Sequence, residues 1–156
     1  MSGYRIRGLS PEPFRALFGL SDADLAARGV IRVTVDAMPG FPCRVTLADA
    51  EPGETVLLLN HEHQPADTPY RSRHAIFVRE GADAAASFVD EVPPVLATRL
   101  LSVRAFDAAG MMTDADVVDG QALDPLIRRM FADPAVDCLH VHNARRGCFA
   151  ARVERA

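Results

Sequence analysis

The strongest constraint on the fold is a β-hairpin predicted near the C-terminal end of the sequence. Apolar and polar residues alternate on both sides of residues 143–147, and this segment (Asn-Ala-Arg-Arg-Gly) has the composition of a short connection. A register that keeps the apolar side chains on one face places Val141 opposite Phe149, and Cys148 opposite His142 on the more polar face. Directly opposed Cβ atoms lie about 4.5–5.5 Å apart, so this register predicts a contact between a thiol and an imidazole.

The remainder of the chain predicts short strands and a few helices. Residues 121–131 have the 3, 4 and 7 spacing of an amphipathic helix, and the polar segment 60–73 is predicted to be a long loop. No regular βαβ rhythm is visible. The sequence therefore predicts an α+β fold: a single domain over residues 1–156 with a mainly antiparallel sheet, a few short helices and the C-terminal hairpin. The predicted strands are residues 4–9, 30–36, 55–59, 75–78 and 100–106.

The composition excludes several classes of function. All 17 basic residues are arginine, so the chain has no lysine for a Schiff base with pyridoxal phosphate or for a Walker phosphate loop, and it has no nucleotide-binding motif. The net charge of -4 gives no general attraction to nucleic acid. The first residues lack an apolar core of the signal-peptide kind, and no apolar run is long enough to span a membrane. We therefore expect a soluble cytoplasmic protein with no nucleic-acid or membrane partner.

Two His-x-His pairs are the candidate metal ligands. His140 and His142 lie on the first strand of the hairpin, and His61 and His63 follow the strand predicted at residues 55–59. Imidazole and thiolate ligands suit zinc or iron, so Cys148 is a further candidate ligand. The alternative is that these histidines are hydrogen-bonded structural residues or lie on a solvated face.

The hairpin offers two other kinds of chemistry. Cys148 and His142 form the candidate catalytic pair, in which His142 activates the thiol, since a neighbouring base or cation promotes thiolate formation. Asn143, Arg145 and Arg146 are candidate ligand-binding residues, because guanidinium groups recognise carboxylates and phosphates. We favour a non-catalytic domain that binds a small molecule or an anion at this hairpin. The alternative is a small metal- or thiol-dependent enzyme.

Several segments resemble one bacterial family, the domain of unknown function 1203 family. The resemblance implies a bacterial origin and one compact domain, and it implies no activity. The chain departs from the family pattern at residues 73–75, where Arg-His-Ala replaces a Gly-Pro pair, so His74 is left outside the candidate site. The matching segments are residues 40–44 (Gly-Phe-Pro-Cys-Arg), 52–59, 69–70, 76–78 and, most specifically, 142–148 (His-Asn-Ala-Arg-Arg-Gly-Cys).

Overall fold

The structure, a computed structural model that describes residues 3–156, contains two β-sheets. The strands are β1 (Tyr4–Arg7), β2 (Ile31–Thr34), β3 (Pro42–Cys43), β4 (Ala48–Asp49), β5 (Thr55–Gln64), β6 (Ser72–Arg79), β7 (Ser87–Val89), β8 (Leu100–Asp107), β9 (Met112–Asp119), β10 (Val136–Asn143) and β11 (Phe149–Arg155). One sheet has the order β7-β1-β11-β10-β8-β9, and the other has the order β2-β5-β6-β3-β4. The strands of both sheets pair antiparallel except β3 with β6.

The helices within residues 3–156 are short. Ser21 caps the first α-helix, because its hydroxyl oxygen accepts a hydrogen bond from the backbone N–H of Asp24. None of the helices in this part of the chain is long and apolar enough to cross a membrane. They are α1 (Asp22–Ala26), α2 (Pro94–Ala97), α3 (Leu123–Phe131) and two 3-10 helices, Glu12–Leu17 and Gly120–Ala122. The predicted α+β class, with mainly antiparallel sheets and few short helices, is confirmed.

One face of the six-stranded sheet is covered by α3. Ile127 of this helix shares a hydrophobic core with Leu139 and Val141 of β10. Because side chains alternate along a strand, His140 and His142 point to the opposite face, where they meet the imidazole ring of His63 from the second sheet. Strand β10 therefore has a helix-covered apolar face and a face that contributes to a polar site between the sheets.

The register of the hairpin differs from the predicted one. Val141 pairs with Ala151 instead of Phe149, and a β-bulge follows in which Ala150 has no partner in β10. Ala150 and Ala151 both belong to the core beneath α3, whereas Phe149 faces the histidines of the second sheet. The prediction was wrong because strict alternation assigned Phe149 to the same face as Ala151.

The bulge also changes the neighbour of the second hairpin histidine. His142 pairs with Phe149, and the carbonyl oxygen of Cys148 accepts a hydrogen bond of 2.9 Å from the backbone N–H of Asn143. Cys148 is therefore opposite Asn143, not opposite His142.

The segment 60–73, predicted to be one long loop, contains the ends of two strands. β5 continues to Gln64 and β6 begins at Ser72, so the connection is limited to residues 65–71. His61 and His74 are direct cross-strand partners in this extension. Apolar periodicity does not reveal these strand ends, because their positions have polar side chains.

Strand β9 was not predicted at all. It pairs with β8 along its whole length, but most of its side chains are exposed, and it forms one edge of the six-stranded sheet. An exposed edge strand buries few side chains, so it lacks the apolar signal that identifies a half-buried strand.

Candidate functional site: a histidine cluster beside an arginine-lined cleft

Four of the five histidines form a cluster between the two sheets. His63 on β5 and His74 on β6 come from the five-stranded sheet, and His140 and His142 on β10 come from the six-stranded sheet. The ring centroids of the other three are separated from that of His63 by no more than 5.2 Å. One member of the first His-x-His pair, both members of the second and His74 therefore meet at one place, although His63 and His142 are 79 positions apart in the sequence.

His63 is the centre of this cluster. Its Nδ1 lies 3.0 Å from Nδ1 of His140, and its Nε2 lies 2.8 Å from Nδ1 of His74. A neutral imidazole has one N–H donor and one acceptor nitrogen, so a neutral His63 donates one of these hydrogen bonds and accepts the other. His63 thus connects a histidine of the opposite sheet to a histidine of its own sheet.

His142 is fixed by the hairpin connection. Its Nδ1 lies 2.9 Å from the carbonyl oxygen of Gly147, and only a protonated Nδ1 donates to a carbonyl. In the neutral ring the lone pair is consequently on Nε2, which is 3.4 Å from Nη1 of Arg104. Gly147 adopts a left-handed φ of 76°, a conformation that glycine accepts without strain.

Burial keeps the clustered histidines neutral. Desolvation is the main reason that the pKa is lowered to about 2 for His63, about 3 for His140 and about 4 for His142, and burial also lowers the pKa of His74. Repulsion from neighbouring imidazoles and arginines lowers these pKa values further, whereas the hydrogen bond to the Gly147 carbonyl favours the charged form of His142. At neutral pH the cluster therefore presents unprotonated ring nitrogens.

An aromatic ring separates the fifth histidine from this cluster. Phe149 stacks on His63 with the ring centroids 4.9 Å apart and an interplanar angle of 11°. His61 instead lies near Phe14 and Phe149, with centroid distances of 6.1 and 6.2 Å, and burial lowers its pKa. His61, a predicted metal ligand, is outside the group of histidines whose ring nitrogens converge.

A second polar feature lies where the hairpin connection meets the end of β3. Arg44 is only 2% exposed, and its guanidinium donates to the carbonyl oxygens of Phe149 (2.7 Å) and Pro42 (2.6 Å) and to Sγ of Cys148 (3.1 Å). Within residues 3–156 no carboxylate forms an ion pair with Arg44. Burial lowers its pKa, and the nearby sulfur of Cys148 opposes that effect.

Arg44 lines an open cleft of about 380 Å³. Two further arginines reach this cleft: Arg99, which is paired with Asp49 at 2.8 Å, and Arg146 of the hairpin connection. The other lining residues combine aromatic and aliphatic side chains with an amide and a thiol, and none of them is acidic. They are Gly40, Phe41, Pro42, Phe77, Leu100, Asn143 and Cys148.

Only two of the three predicted ligand-binding residues line the cleft. Asn143 and Arg146 line the cleft, whereas Arg145 is exposed and is not part of its lining. Asn143 donates to Sγ of Cys148 at 3.5 Å, and its Oδ1 is buried without a hydrogen-bond partner in the described part of the chain. The proposed catalytic pair is not formed directly, because Cys148 contacts Arg44 and Asn143 while His142 contacts Gly147 and Arg104.

Sequence reasoning did not identify His74, Arg44, Arg99 or Arg104. His74 is the direct cross-strand neighbour of His61, so a correct strand assignment for residues 72–79 would have placed it beside the His61–His63 pair. Arg44 and Arg99 have no comparable local signal, because their positions depend on contacts with residues about 50 to 105 positions away.

These features together define an α+β protein of two mainly antiparallel sheets, with a histidine cluster between the sheets and an arginine-lined cleft beside it. A family model described as "Protein of unknown function (DUF1203)" matches residues 40–155, and the chain belongs to this family, as its sequence segments predicted. The matched range contains both the histidine cluster and the cleft. No curated protein and no solved structure matches this chain.

Proposed function

We propose that this protein binds a small organic carboxylate in the cleft between residues 40–44 and the hairpin connection. The observation that carries the proposal is Arg44, a buried guanidinium without a carboxylate partner in residues 3–156. Burying a cation is costly unless an anion or strong hydrogen bonds compensate for the lost hydration. Arg44 uses three of its five N–H groups within the protein, so two remain for a ligand.

The lining of the cleft defines the class of anion. Arg44 and Arg146 contribute positive charge, Arg99 is already paired with Asp49, and no lining residue is acidic, which favours an anionic ligand. Phe41 and Phe77, whose ring centroids are 5.3 Å apart, contribute an apolar wall. A carboxylate that carries an aromatic or aliphatic body satisfies both parts, whereas inorganic phosphate would leave the apolar wall unused.

The proposed role is binding without a covalent step. The sulfur of Cys148 accepts hydrogen bonds from Arg44 and Asn143, and no histidine is positioned as its base. Asn143 has a free buried acceptor, Oδ1, so we expect a ligand with an N–H or O–H group near its carboxylate to bind more tightly than one without it.

We also propose a cytoplasmic location, where three free cysteines remain reduced, and no nucleic-acid or membrane partner.

A ligand titration tests this function. Benzoate, phenylacetate and hexanoate are added to the wild-type protein and followed by calorimetry and by NMR shifts of the arginine Nε–H groups, with uncharged benzamide as the ligand control. Arg44→Met should weaken carboxylate binding at least about tenfold, because a buried charge-assisted hydrogen bond is lost. Arg146→Ala should weaken it about two- to fivefold, as an exposed charge does.

Arg145→Ala is the matched control, because Arg145 is exposed and adjacent to Arg146 but does not line the cleft. It should leave the affinity unchanged. The proposal is wrong if no carboxylate binds better than benzamide, or if Arg145→Ala and Arg146→Ala weaken binding equally. This second comparison remains decisive even if Arg44→Met does not fold.

A further inference from the structure

We propose that His63, His74 and His142 together bind one divalent transition-metal ion, at a site separate from the carboxylate cleft. One ring nitrogen from each of these three histidines lies within 4.8 Å of the others. The three residues come from three strands, β5, β6 and β10, and from both sheets. A metal ion at this point would connect the two sheets directly.

The hydrogen bonds around the cluster orient two of these nitrogens as metal ligands. His142 donates Nδ1–H to the Gly147 carbonyl, so its Nε2 has a free lone pair. Donation from Nδ1 of His63 to Nδ1 of His140 would orient His63 in the same way and leave Nε2 for the metal. Metal-binding histidines commonly donate their other N–H to a carbonyl or a similar acceptor, which fixes the tautomer and the ring. His140 is thus a positioning residue in this site.

The third ligand requires a small movement and a change of tautomer. Nδ1 of His74 donates to Nε2 of His63 in this arrangement, so the His74 proton must be on Nε2 before Nδ1 can bind a metal ion. Nδ1 of His74 is 2.8 Å from Nε2 of His63, and nitrogens bound to one tetrahedral zinc ion at about 2.0–2.1 Å are about 3.3 Å apart. The two rings must therefore separate by about half an ångström. Arg104, whose Nη1 is 3.4 Å from Nε2 of His142, must move away from that lone pair.

The ligand set defines the class of metal. Three imidazoles suit Zn²⁺, Cu²⁺, Ni²⁺ or Fe²⁺, whereas Mg²⁺ and Ca²⁺ prefer oxygen ligands. Three protein ligands also leave one coordination position open in a tetrahedral site. This inference is independent of the proposed carboxylate binding, because none of the three histidines lines the cleft.

Metal titration of the purified, untagged protein tests the site. The protein is treated with a chelator, dialysed and titrated with Zn²⁺ by calorimetry, while Co²⁺ titration records the visible absorption of a nitrogen-ligated ion. The wild-type protein should bind one equivalent of each metal. His74→Ala should weaken Zn²⁺ binding more than about 100-fold and abolish the Co²⁺ spectrum, since a directly bound ligand contributes more than a supporting residue. His74 is half-buried, so this variant removes the fewest packing contacts of the three.

His61→Ala is the matched control, because this histidine lies on the same strand as His63 but outside the converging group. It should bind Zn²⁺ like the wild type. His140→Phe should bind Zn²⁺ about 10–100-fold more weakly and retain one equivalent at saturation, as expected for a positioning residue. The proposal is overturned if the wild-type protein binds no stoichiometric Zn²⁺, or if His74→Ala and His61→Ala have equal affinities. Neither outcome depends on carboxylate binding.

Discussion

Cys148 differs from the other two cysteines in its surroundings. Cys43 and Cys138 are buried, and burial raises the pKa of the Cys138 thiol, whereas Cys148 is half-buried and lines the cleft. Reaction of a thiol with an external reagent requires access as well as thiolate character. The cleft therefore provides solvent access to one of the three sulfurs.

This difference predicts the thiol stoichiometry. In the native protein an aromatic disulfide reagent should label one cysteine rapidly, and the labelled residue should be Cys148. Cys148→Ser should abolish the rapid phase, and a carboxylate in the cleft should slow it in the wild type. Unfolding in urea should expose all three thiols. Rapid labelling of Cys43 or Cys138 in the native protein would contradict the described packing.

Residues of the candidate site were predictable where they belong to a local sequence pattern. His63, His140 and His142 are members of His-x-His pairs, and Asn143 and Arg146 lie in the predicted hairpin connection. Arg44 was not predictable, because its distinctive property is burial next to Cys148, 104 residues later in the sequence. No pattern in one sequence reports such a contact between distant segments.

At the scale of elements, the bulge in β11 determines which side chains reach the site. It allows Ala150 and Ala151 to face the core beneath α3 while Phe149 faces His63. Two small residues therefore fill the helix-covered side, and the large ring fills the space between the sheets. Alternation predicted both strands of the hairpin, but it did not predict a position where alternation is interrupted.

The hairpin connection also depends on its glycine. Gly147→Ala should lower the free energy of unfolding by about 1–2 kcal/mol, because a side chain is strained at the φ of 76° found there. The space that the Cβ of the alanine would occupy is open, so the loss of stability should come from the backbone conformation alone. Urea denaturation followed by circular dichroism measures it. The control is Arg145→Ala, which should change the free energy of unfolding by less than about 0.5 kcal/mol. Ala144→Pro does not serve as a control, because the backbone N–H of Ala144 donates a hydrogen bond to the carbonyl oxygen of Leu100.

Element types were largely predictable, whereas their lengths were not. The helix over 121–131 contains α3, and the predicted strands at 4–9 and 100–106 correspond to β1 and β8. The errors occur where backbone pairing continues without apolar side chains, as in the polar end of β5 and in β9. Strand pairing there depends on the neighbouring strand, which a local pattern does not contain.

At the scale of the whole molecule, the histidine cluster makes the contact between the sheets sensitive to acid. The folded-state pKa values of about 2 to 4 for His63, His140 and His142 lie below the usual value of about 6.5 for an unfolded chain. The unfolded state therefore binds more protons in this interval. The stabilisation is complete above pH of about 6.5 and is lost as the pH falls toward the folded-state values.

We therefore expect the free energy of unfolding of the metal-free protein to decrease between about pH 7 and pH 5, by up to about 1.4 kcal/mol per pH unit for each histidine that stays neutral. Urea denaturation at several pH values measures this slope. His140→Phe should reduce the slope by about one proton, because its ring is surrounded by Phe106 and Phe149 and replaces the imidazole without a charge. A slope equal to that of the wild type would exclude His140 as a contributor. Carboxylates such as Glu80, with a pKa lowered to about 2, become protonated only at lower pH.

Residues 147–149, at the end of the hairpin connection and the start of β11, connect two sites that the fold otherwise keeps apart. The Gly147 carbonyl holds His142, while the carbonyl of Phe149 accepts a hydrogen bond from Arg44 and its ring stacks on His63. A carboxylate bound to Arg44 and a metal ion bound by His142 and His63 would therefore act on the same three-residue backbone segment. Their binding equilibria should be thermodynamically linked, and linkage requires that each ligand change the other's affinity by the same factor.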